Sequence, residues 1–175
     1  MLISYKKAIF LGLLFVLFLM PYSIRAQDRI TETKYEWEKI ILLVTKKSEI
    51  EQMYGKPVDE FEDGATFVYD TKFGKLTIYY RAKKDSNNSN CKWNVSSETV
   101  VGIRVGLFES IPVKKIKYDL SDFEKKINHN EEITYQNSEK GIGIISYFSD
   151  SREELAATIY YYPTSADRKS NCVEK

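Results

Sequence analysis

The two cysteines, Cys91 and Cys172, constrain the fold most, because they are the only cysteines of the chain and lie 81 residues apart. Each closes a stretch that opens on T-I-Y-Y and ends on S-N-C, residues 77–91 and 158–172. If a disulfide forms within the chain, it must join Cys91 to Cys172. Closing a loop of about 80 residues stabilises a fold by about 4.5 kcal/mol in the chain-entropy model. Two free thiols or a bridge between molecules are the alternatives.

The first 26 residues have the pattern of an export signal. Lys6 and Lys7 form a positive start, residues 8–20 are an unbroken apolar run, and residues 21–26 end in a small residue. A helix that spans a bilayer needs about 20 residues, so an uncleaved anchor is the weaker alternative. We therefore expect a secreted or periplasmic protein that meets the membrane only through this leader, in a compartment where disulfides form.

The charge balance argues against a nucleic-acid partner. Without residues 1–26, the chain has 23 basic and 25 acidic residues, whereas proteins that bind nucleic acids usually carry a strongly basic surface. We expect no nucleic-acid partner. The remaining length suits one domain or two small halves that share a core. We predict an N-terminal half at residues 27–112 and a C-terminal half at residues 113–175.

The chain after the leader alternates helix and strand signals. A helix is predicted at residues 46–54, where Ile50, Met53 and Tyr54 share one face and Gly55 and Pro57 prevent continuation. Alternating residues predict strands. The predicted strands are 65–69, 76–80, 99–107, 133–136, 142–148 and 155–162; 120–127 is a second helix, and 36–44 is a strand or short helix.

The order of a helix and three strands thus occurs twice. This order predicts an α+β fold of two similar halves, each a short helix packed on an antiparallel sheet of about three strands. An internal duplication would explain the repeated T-I-Y-Y and S-N-C. The two predicted helices are separated by a different number of residues from the two cysteines, however, so a simple duplication does not align both. The alternative is that strands rich in tyrosine look alike because the same propensities fill them.

Part of this pattern carries a resemblance. The residues concerned are Trp37 and Ile40, the predicted helix from Ser48 to Pro57, and the strand pair with Tyr69 and Ile78 to Tyr80. The layout resembles two families of exported bacterial proteins, the SmpA/BamE outer-membrane assembly lipoproteins and the β-lactamase inhibitory proteins. The resemblance implies a binding module with a concave sheet face. The chain lacks the lipobox cysteine of the first family and the disulfide within each half of the second. The resemblance therefore assigns no functional residue to this chain.

The sequence lacks the usual catalytic and metal-binding motifs. His129 is the single histidine, and no G-x-S-x-G, P-loop or G-x-G-x-x-G motif occurs. One histidine and two distant cysteines cannot form a structural zinc site, and Phe61 occupies a ligand position in the acidic run at 59–64 that calcium would need. We expect no catalytic residue, no metal and no cofactor.

Because catalytic and metal-binding motifs are absent from the sequence, we predict a non-enzymatic module that binds another exported or envelope protein. Two alternatives remain. One is a secreted hydrolase that uses paired carboxylates, of which Glu131-Glu132 and Glu153-Glu154 are examples. The other is an inhibitor of an exported enzyme.

Aromatic residues are the candidate binding face. Tyr79 and Tyr80 lie on one predicted strand, Tyr160, Tyr161 and Tyr162 lie on another, and Trp93 is in a polar loop beside Cys91. Neighbours on a strand point to opposite faces, so at least one tyrosine of each group should face away from the core. Exposed tyrosine gives rigid contact area with a polar tip, which suits a protein or glycan partner. The alternative is that propensity alone placed these tyrosines on strands.

Overall fold

The computed structural model describes residues 36–61, 64–82, 91–128 and 131–174. Its main element is an eight-stranded antiparallel sheet with the strand order β1-β2-β3-β5-β9-β8-β7-β6, and β4 pairs with β10 in a small second sheet. The strands are β1 (Asp59–Glu60), β2 (Thr66–Thr71), β3 (Gly74–Tyr80), β4 (Cys91–Trp93), β5 (Val100–Pro112), β6 (Glu124–Ile127), β7 (Ile133–Asn137), β8 (Ile142–Phe148), β9 (Glu154–Tyr161) and β10 (Cys172–Glu174). The predicted leader lies outside the described residues.

Two α-helices and three 3-10 turns accompany the sheet in the described ranges: α1 (Lys47–Tyr54), α2 (Ser165–Asn171), η1 (Glu36–Lys39), η2 (Val113–Lys115) and η3 (Leu120–Asp122). The predicted first helix is confirmed as α1. Its start is capped by the Glu49 carboxylate, which accepts the Lys46 N–H at 2.7 Å, and it ends at Gly55 with φ of +78°. Within the described ranges, neither α-helix has the length and apolar content that crossing a membrane requires.

The predicted fold class is wrong. The described chain forms one large antiparallel sheet, not two halves that each pack a helix on about three strands, because β5 and β9 pair with each other along the middle. The predicted helix at 120–127 is a single 3-10 turn followed by β6. Leu120, Phe123 and Ile127 have helical spacing, but the four residues of β6 pair with β7 instead. Tertiary pairing overrides local periodicity here.

One face of the large sheet carries the core. Strand pairing places Leu76, Ile78, Val105, Ile159 and Ile144 on the same face, and each of them is buried. We call this the covered face. It packs against η1, where Trp37 Nε1 donates to the Tyr161 hydroxyl, and against α1, where the Tyr54 ring lies 6.1 Å from the Tyr69 ring. It also packs against the apolar residues of the η2–η3 segment, which are Val113, Ile116, Tyr118, Leu120 and Phe123. Burial of each large apolar side chain stabilises the fold by about 1.5–3 kcal/mol.

The predicted disulfide is confirmed: Cys91 and Cys172 are bonded, with their Cα atoms 5.3 Å apart. They lie on β4 and β10, whose antiparallel pairing places Cys172 opposite Trp93 and Cys91 opposite Glu174. The two T-I-Y-Y stretches are on β3 and β9, which flank β5 on opposite sides. The duplication itself stays a prediction.

Candidate functional site

The other face of the sheet is the candidate site. Thr77 is opposite Arg104, and Arg104 is opposite Tyr160, while Ile145 is opposite both Thr158 and Thr134. Directly paired residues share a face, and so do residues two apart on a strand. From the half-buried or exposed residues on this side we select seven and call them the open face: Thr77, Tyr79, Arg104, Thr134, Ile145, Tyr147 and Tyr160.

Two open-face tyrosines lie beside glycines. Tyr79 is opposite Gly102, and a Cβ atom on Gly102 would lie 3.4 Å from Tyr79 Cδ2. Tyr160 is opposite Gly143, where a Cβ atom would lie 3.6 Å from Tyr160 Cβ and from Tyr162 Cε1. A glycine beside an aromatic residue leaves room for the ring to cover the backbone. The Tyr79 ring therefore lies against the backbone of Gly102, and the Tyr162 ring lies against that of Gly143.

Arg104 gives the open face a central positive charge. It is exposed on β5, and its guanidinium carbon lies 5.7 Å from the centroid of the Tyr160 ring, a cation–π distance. In the described part of the chain, no carboxylate forms an ion pair with it. Lys75, by contrast, lies 3.3 Å from the Asp70 carboxylate on the same side of the sheet. The Arg104 guanidinium, unlike the Lys75 ammonium, is thus available to a carboxylate of a partner.

The remaining predicted tyrosines on the strands belong to the covered face. Tyr80 is buried, its hydroxyl lies 3.3 Å from the Tyr69 hydroxyl, and burial raises the pKa of Tyr80. Tyr161 is half-buried; its hydroxyl accepts a hydrogen bond from Trp37 Nε1 at 3.2 Å and lies 3.0 Å from the Tyr118 hydroxyl. These two residues contribute to packing and not to the open face.

Tyr162 and Trp93 occupy other positions. Tyr162 follows β9, and its hydroxyl donates to the Ile142 carbonyl at 3.1 Å. Trp93 lies on β4 in the small sheet, where its carbonyl accepts from Arg81 Nε at 3.1 Å and its ring lies 5.8 Å from the Arg168 guanidinium carbon. The structure therefore brings Tyr79 and Tyr160 to one face, places Tyr162 beside Gly143 at its border, and leaves Trp93 next to the disulfide.

Sequence reasoning did not identify Arg104, Gly102 or Gly143. A signal for the first two was present, because residues 102–107 read G-I-R-V-G-L, in which apolar residues alternate with glycine and arginine. That alternation predicts a strand with one buried and one solvent-facing side. Gly143 could be recognised only once its pairing with Tyr160 was known.

A second concave region lies on the covered side, between the η2–η3 segment and the sheet. Its volume is about 480 Å³. We call it the carboxylate groove and define it by its lining residues Val113, Lys114, Ile116, Tyr118, Asp119, Leu120, Tyr135, Glu153 and Glu154. The groove combines an apolar wall with three carboxylates.

Two carboxylates of the groove have close partners of opposite charge. Glu153 lies 2.7 Å from Lys114 Nζ, and this hydrogen bond, with the charge of Lys114, holds the pKa of Glu153 below its usual range. Glu154 accepts from Ser146 Oγ at 2.6 Å and lies 3.6 Å from Lys125 Nζ. The Asp119 carboxylate accepts from the Ser121 N–H at 3.0 Å, which lowers its pKa. Both lowered pKa values favour the ionised form at neutral pH.

The described residues contain no group of three or more histidine, cysteine or acidic side chains placed to hold a metal ion. Asp59 and Phe61 of the acidic run are described, but Glu62 and Asp63 are not. His129 also lies outside the described residues.

Comparison of the chain with family models, curated proteins and solved structures finds no significant match. The resemblance to the SmpA/BamE lipoproteins and the β-lactamase inhibitory proteins therefore remains a prediction from the sequence.

Proposed function

We propose that the protein is an exported, non-catalytic binding module that contacts another exported or envelope protein through the open face. The observation that carries the proposal is the placement of Tyr79, Arg104 and Tyr160 on one accessible side of the sheet. Tyrosine and arginine are, with tryptophan, the residue types enriched at the energetic centres of protein interfaces. The leader pattern and the Cys91–Cys172 disulfide support an exported location, since disulfides persist in oxidising compartments.

The geometry of the face fits recognition for an energetic reason. Ordering a flexible side chain at an interface costs about 0.5–1.5 kcal/mol. Both tyrosines are half-buried, the Tyr79 ring lies against Gly102, and the Tyr160 ring lies 5.7 Å from the Arg104 guanidinium carbon, so less of this cost remains when a partner binds. The exposed guanidinium of Arg104 favours a partner surface that offers a carboxylate.

A photo-crosslinking experiment tests the proposal. A photoreactive phenylalanine replaces Tyr79 or Tyr160 in the producing cell, and the same residue replaces Met53 of α1, which is 42% exposed, as the matched control. We expect one discrete protein adduct at both tyrosine positions, its loss when Arg104→Glu is added, and no such adduct at Met53. Equal adducts at all three positions, or none at the tyrosines, would contradict the proposal.

A second candidate function rests on the carboxylate groove, where Glu153 and Glu154 line the same cavity as Asp119. A glycoside hydrolase needs one carboxyl whose pKa is raised, so that it is protonated and can act as the acid. The lowered pKa of Glu153 and Asp119 disfavours that role. The candidate predicts turnover of a glycan or ester that Glu154→Gln abolishes and Glu139→Gln, on the exposed turn after β7, leaves unchanged.

A further inference from the structure

The two outer strands of the large sheet carry opposite charges. β1 presents Asp59 and Glu60, and β6 presents Glu124, Lys125 and Lys126, so two acids on β1 face a strand whose two lysines outnumber its one acid; all five side chains are exposed. Within the molecule, Lys126 Nζ lies 3.1 Å from the Glu124 carboxylate and Lys125 Nζ lies 3.6 Å from the Glu154 carboxylate, and pairing with a second copy would exchange these contacts. Each charged pair adjoins an exposed apolar residue, Val58 at 54% and Ile127 at 69%. Among the described residues, no strand pairs with the outer side of β1 or β6. An unpaired edge is a template for pairing with another chain.

We propose that β1 of one copy pairs with β6 of a second copy, so that the protein associates head to tail through its sheet edges. The occupant of each edge is a second copy because the complementary charge is on the opposite edge of the same molecule. All neighbouring strands are antiparallel in an eight-stranded order, so β1 and β6 run in opposite directions. A second copy in the same orientation therefore presents β6 antiparallel to β1.

The backbone of each edge points the right groups outward. The Asn128 N–H donates to the Glu132 carbonyl at 2.9 Å, so the alternation of an antiparallel ladder directs the backbone groups of Lys125 and Ile127 away from β7. The Phe61 N–H donates to the Thr66 carbonyl at 3.0 Å. By the same alternation, the backbone N–H and carbonyl of Glu60 point away from β2. The Asp59 carboxylate accepts the Glu60 N–H at 2.9 Å and would exchange it for the new strand.

One register pairs the charges and aligns the outward backbone groups of Glu60 with those of Lys125. It places Glu60 opposite Lys125 of the second copy, Asp59 opposite Lys126 and Val58 opposite Ile127. The Val58 N–H donates to the Val68 carbonyl of its own molecule at 2.8 Å, so Val58 offers Ile127 an apolar side chain and not this N–H. Glu60 and Lys125 then form the pair whose backbone groups point at each other. Glu60 is opposite Phe67, and Lys125 is opposite Tyr135; Phe67 and Tyr135 are both on the covered face. The covered face of one copy would therefore continue into the covered face of the next.

Pairing of two β1 edges is disfavoured, because it would bring acid opposite acid. Two β6 strands would also bring lysine opposite lysine, although the register with Lys125 opposite Lys125 places Glu124 opposite Lys126 on either side. The proposed pairing of β1 with β6 is heterologous, and such an interface forms open chains of copies unless its rotation closes a ring. The contact is short, so we expect a weak association that depends on concentration and on salt.

Sedimentation velocity of the purified protein, expressed from the full chain, tests the inference without any partner. We expect the average sedimentation coefficient of the wild type to rise with concentration at low salt. Asp59→Lys and Lys126→Glu should each weaken the association about tenfold, the effect of replacing an attractive cross-strand pair with a repulsive one. Lys169→Glu on α2, which is exposed and makes the same charge change as Lys126→Glu, should behave like the wild type.

Charge exchange separates edge pairing from a general effect of charge. A mixture of the Asp59→Lys and Lys126→Glu proteins should associate as the wild type does, and so should the double variant that carries both changes in one chain. Circular dichroism verifies that each variant is folded. A wild type that sediments as a monomer at every concentration, or single variants that neither weaken nor complement each other, would overturn the inference. Because no partner is present, this result is independent of the crosslinking test.

Discussion

The covered face and the open face use the same strands for different purposes. On β5, Ile103 and Val105 are buried in the core, while the residues between and beside them, Gly102, Arg104 and Gly106, belong to the other side. The covered face is mainly aliphatic and aromatic, and the open face combines tyrosine, threonine, glycine and Ile145 with the exposed charges of Arg104 and, beside it, of Lys75 and Asp70. The difference indicates that stability depends mainly on one side of each strand. The other side is then free to specify what the protein contacts.

The largest expected effect concerns the disulfide, which lies on the small β4–β10 sheet. Replacing both cysteines in Cys91→Ser/Cys172→Ser should lower the free energy of unfolding by about 4.5 kcal/mol, because the unfolded chain is no longer closed into a loop. Urea denaturation of the oxidised wild type, the reduced wild type and the variant measures this loss. Under conditions in which the variant is still folded, the photo-crosslinked adducts at positions 79 and 160 should persist. A loss below about 1 kcal/mol would contradict the prediction.

Neighbouring isoleucines on β8 compare the two faces directly. Ile144 is fully buried on the covered face, whereas Ile145 is half-buried on the open face. Ile144→Ala should destabilise the protein by about 3 kcal/mol, and Ile145→Ala by about 1 kcal/mol, because only the first leaves a cavity in a packed core. Equal losses in urea denaturation would show that the two faces do not differ in this way.

Arg104 should matter for binding and little for folding. Arg104→Gln removes an exposed charge and a cation–π contact with Tyr160, which at an exposed site is worth about 0.5 kcal/mol. We expect the midpoint of thermal unfolding to change little while the crosslinked adduct at Tyr79 is lost. A large drop in thermal stability with the adduct retained would assign Arg104 to the fold instead.

The smallest expected effect is the titration of Glu153. The hydrogen bond and charge of Lys114 lower its pKa, so the stabilising contact is present above the unfolded-state pKa and is lost as the pH falls through the lower folded-state pKa. Lys114→Ala should return the pKa of Glu153 toward its ordinary value, with little change in stability because the group is exposed. Carbon-13 NMR of the side-chain carboxyl measures both titrations, and identical curves would contradict the assignment.

The sequence predicted the local elements well where two signals agreed. Helix α1 has an apolar face and a Gly-x-Pro stop, and β3 and β8 alternate clearly, so residues 47–54, 74–80 and 142–148 were found with errors of a few positions. The disulfide followed from elimination, since a bridge within the chain had no other cysteines to use. In each case the deciding information lay within a short segment or in a count.

Long-range pairing could not be predicted in the same way. The residues at 120–127 contain no local signal for the pairing of β6 with β7, and the residues of β5 and β9 contain none for their pairing with each other. The sequence therefore predicts two small sheets in place of one large sheet. Helix α2 was missed because its cap, in which Thr164 Oγ1 accepts the Asp167 N–H at 3.1 Å, precedes a short polar stretch without an apolar face. The composition of the open face depends on register, which is why Tyr79 and Tyr160 were predicted together with Tyr80 and Tyr161 of the covered face, and Tyr147 and Arg104 were not.

The pairing of β5 with β9 ties the stability of the two parts of the chain together. β5 hydrogen-bonds to β3 on one side and β9 on the other, and β9 hydrogen-bonds to β5 and β8. If either part left the sheet, a row of peptide groups at the centre would lose its partners and the core beneath it would be hydrated. The molecule should therefore melt in one cooperative step, with the slowest amide exchange at these two strands.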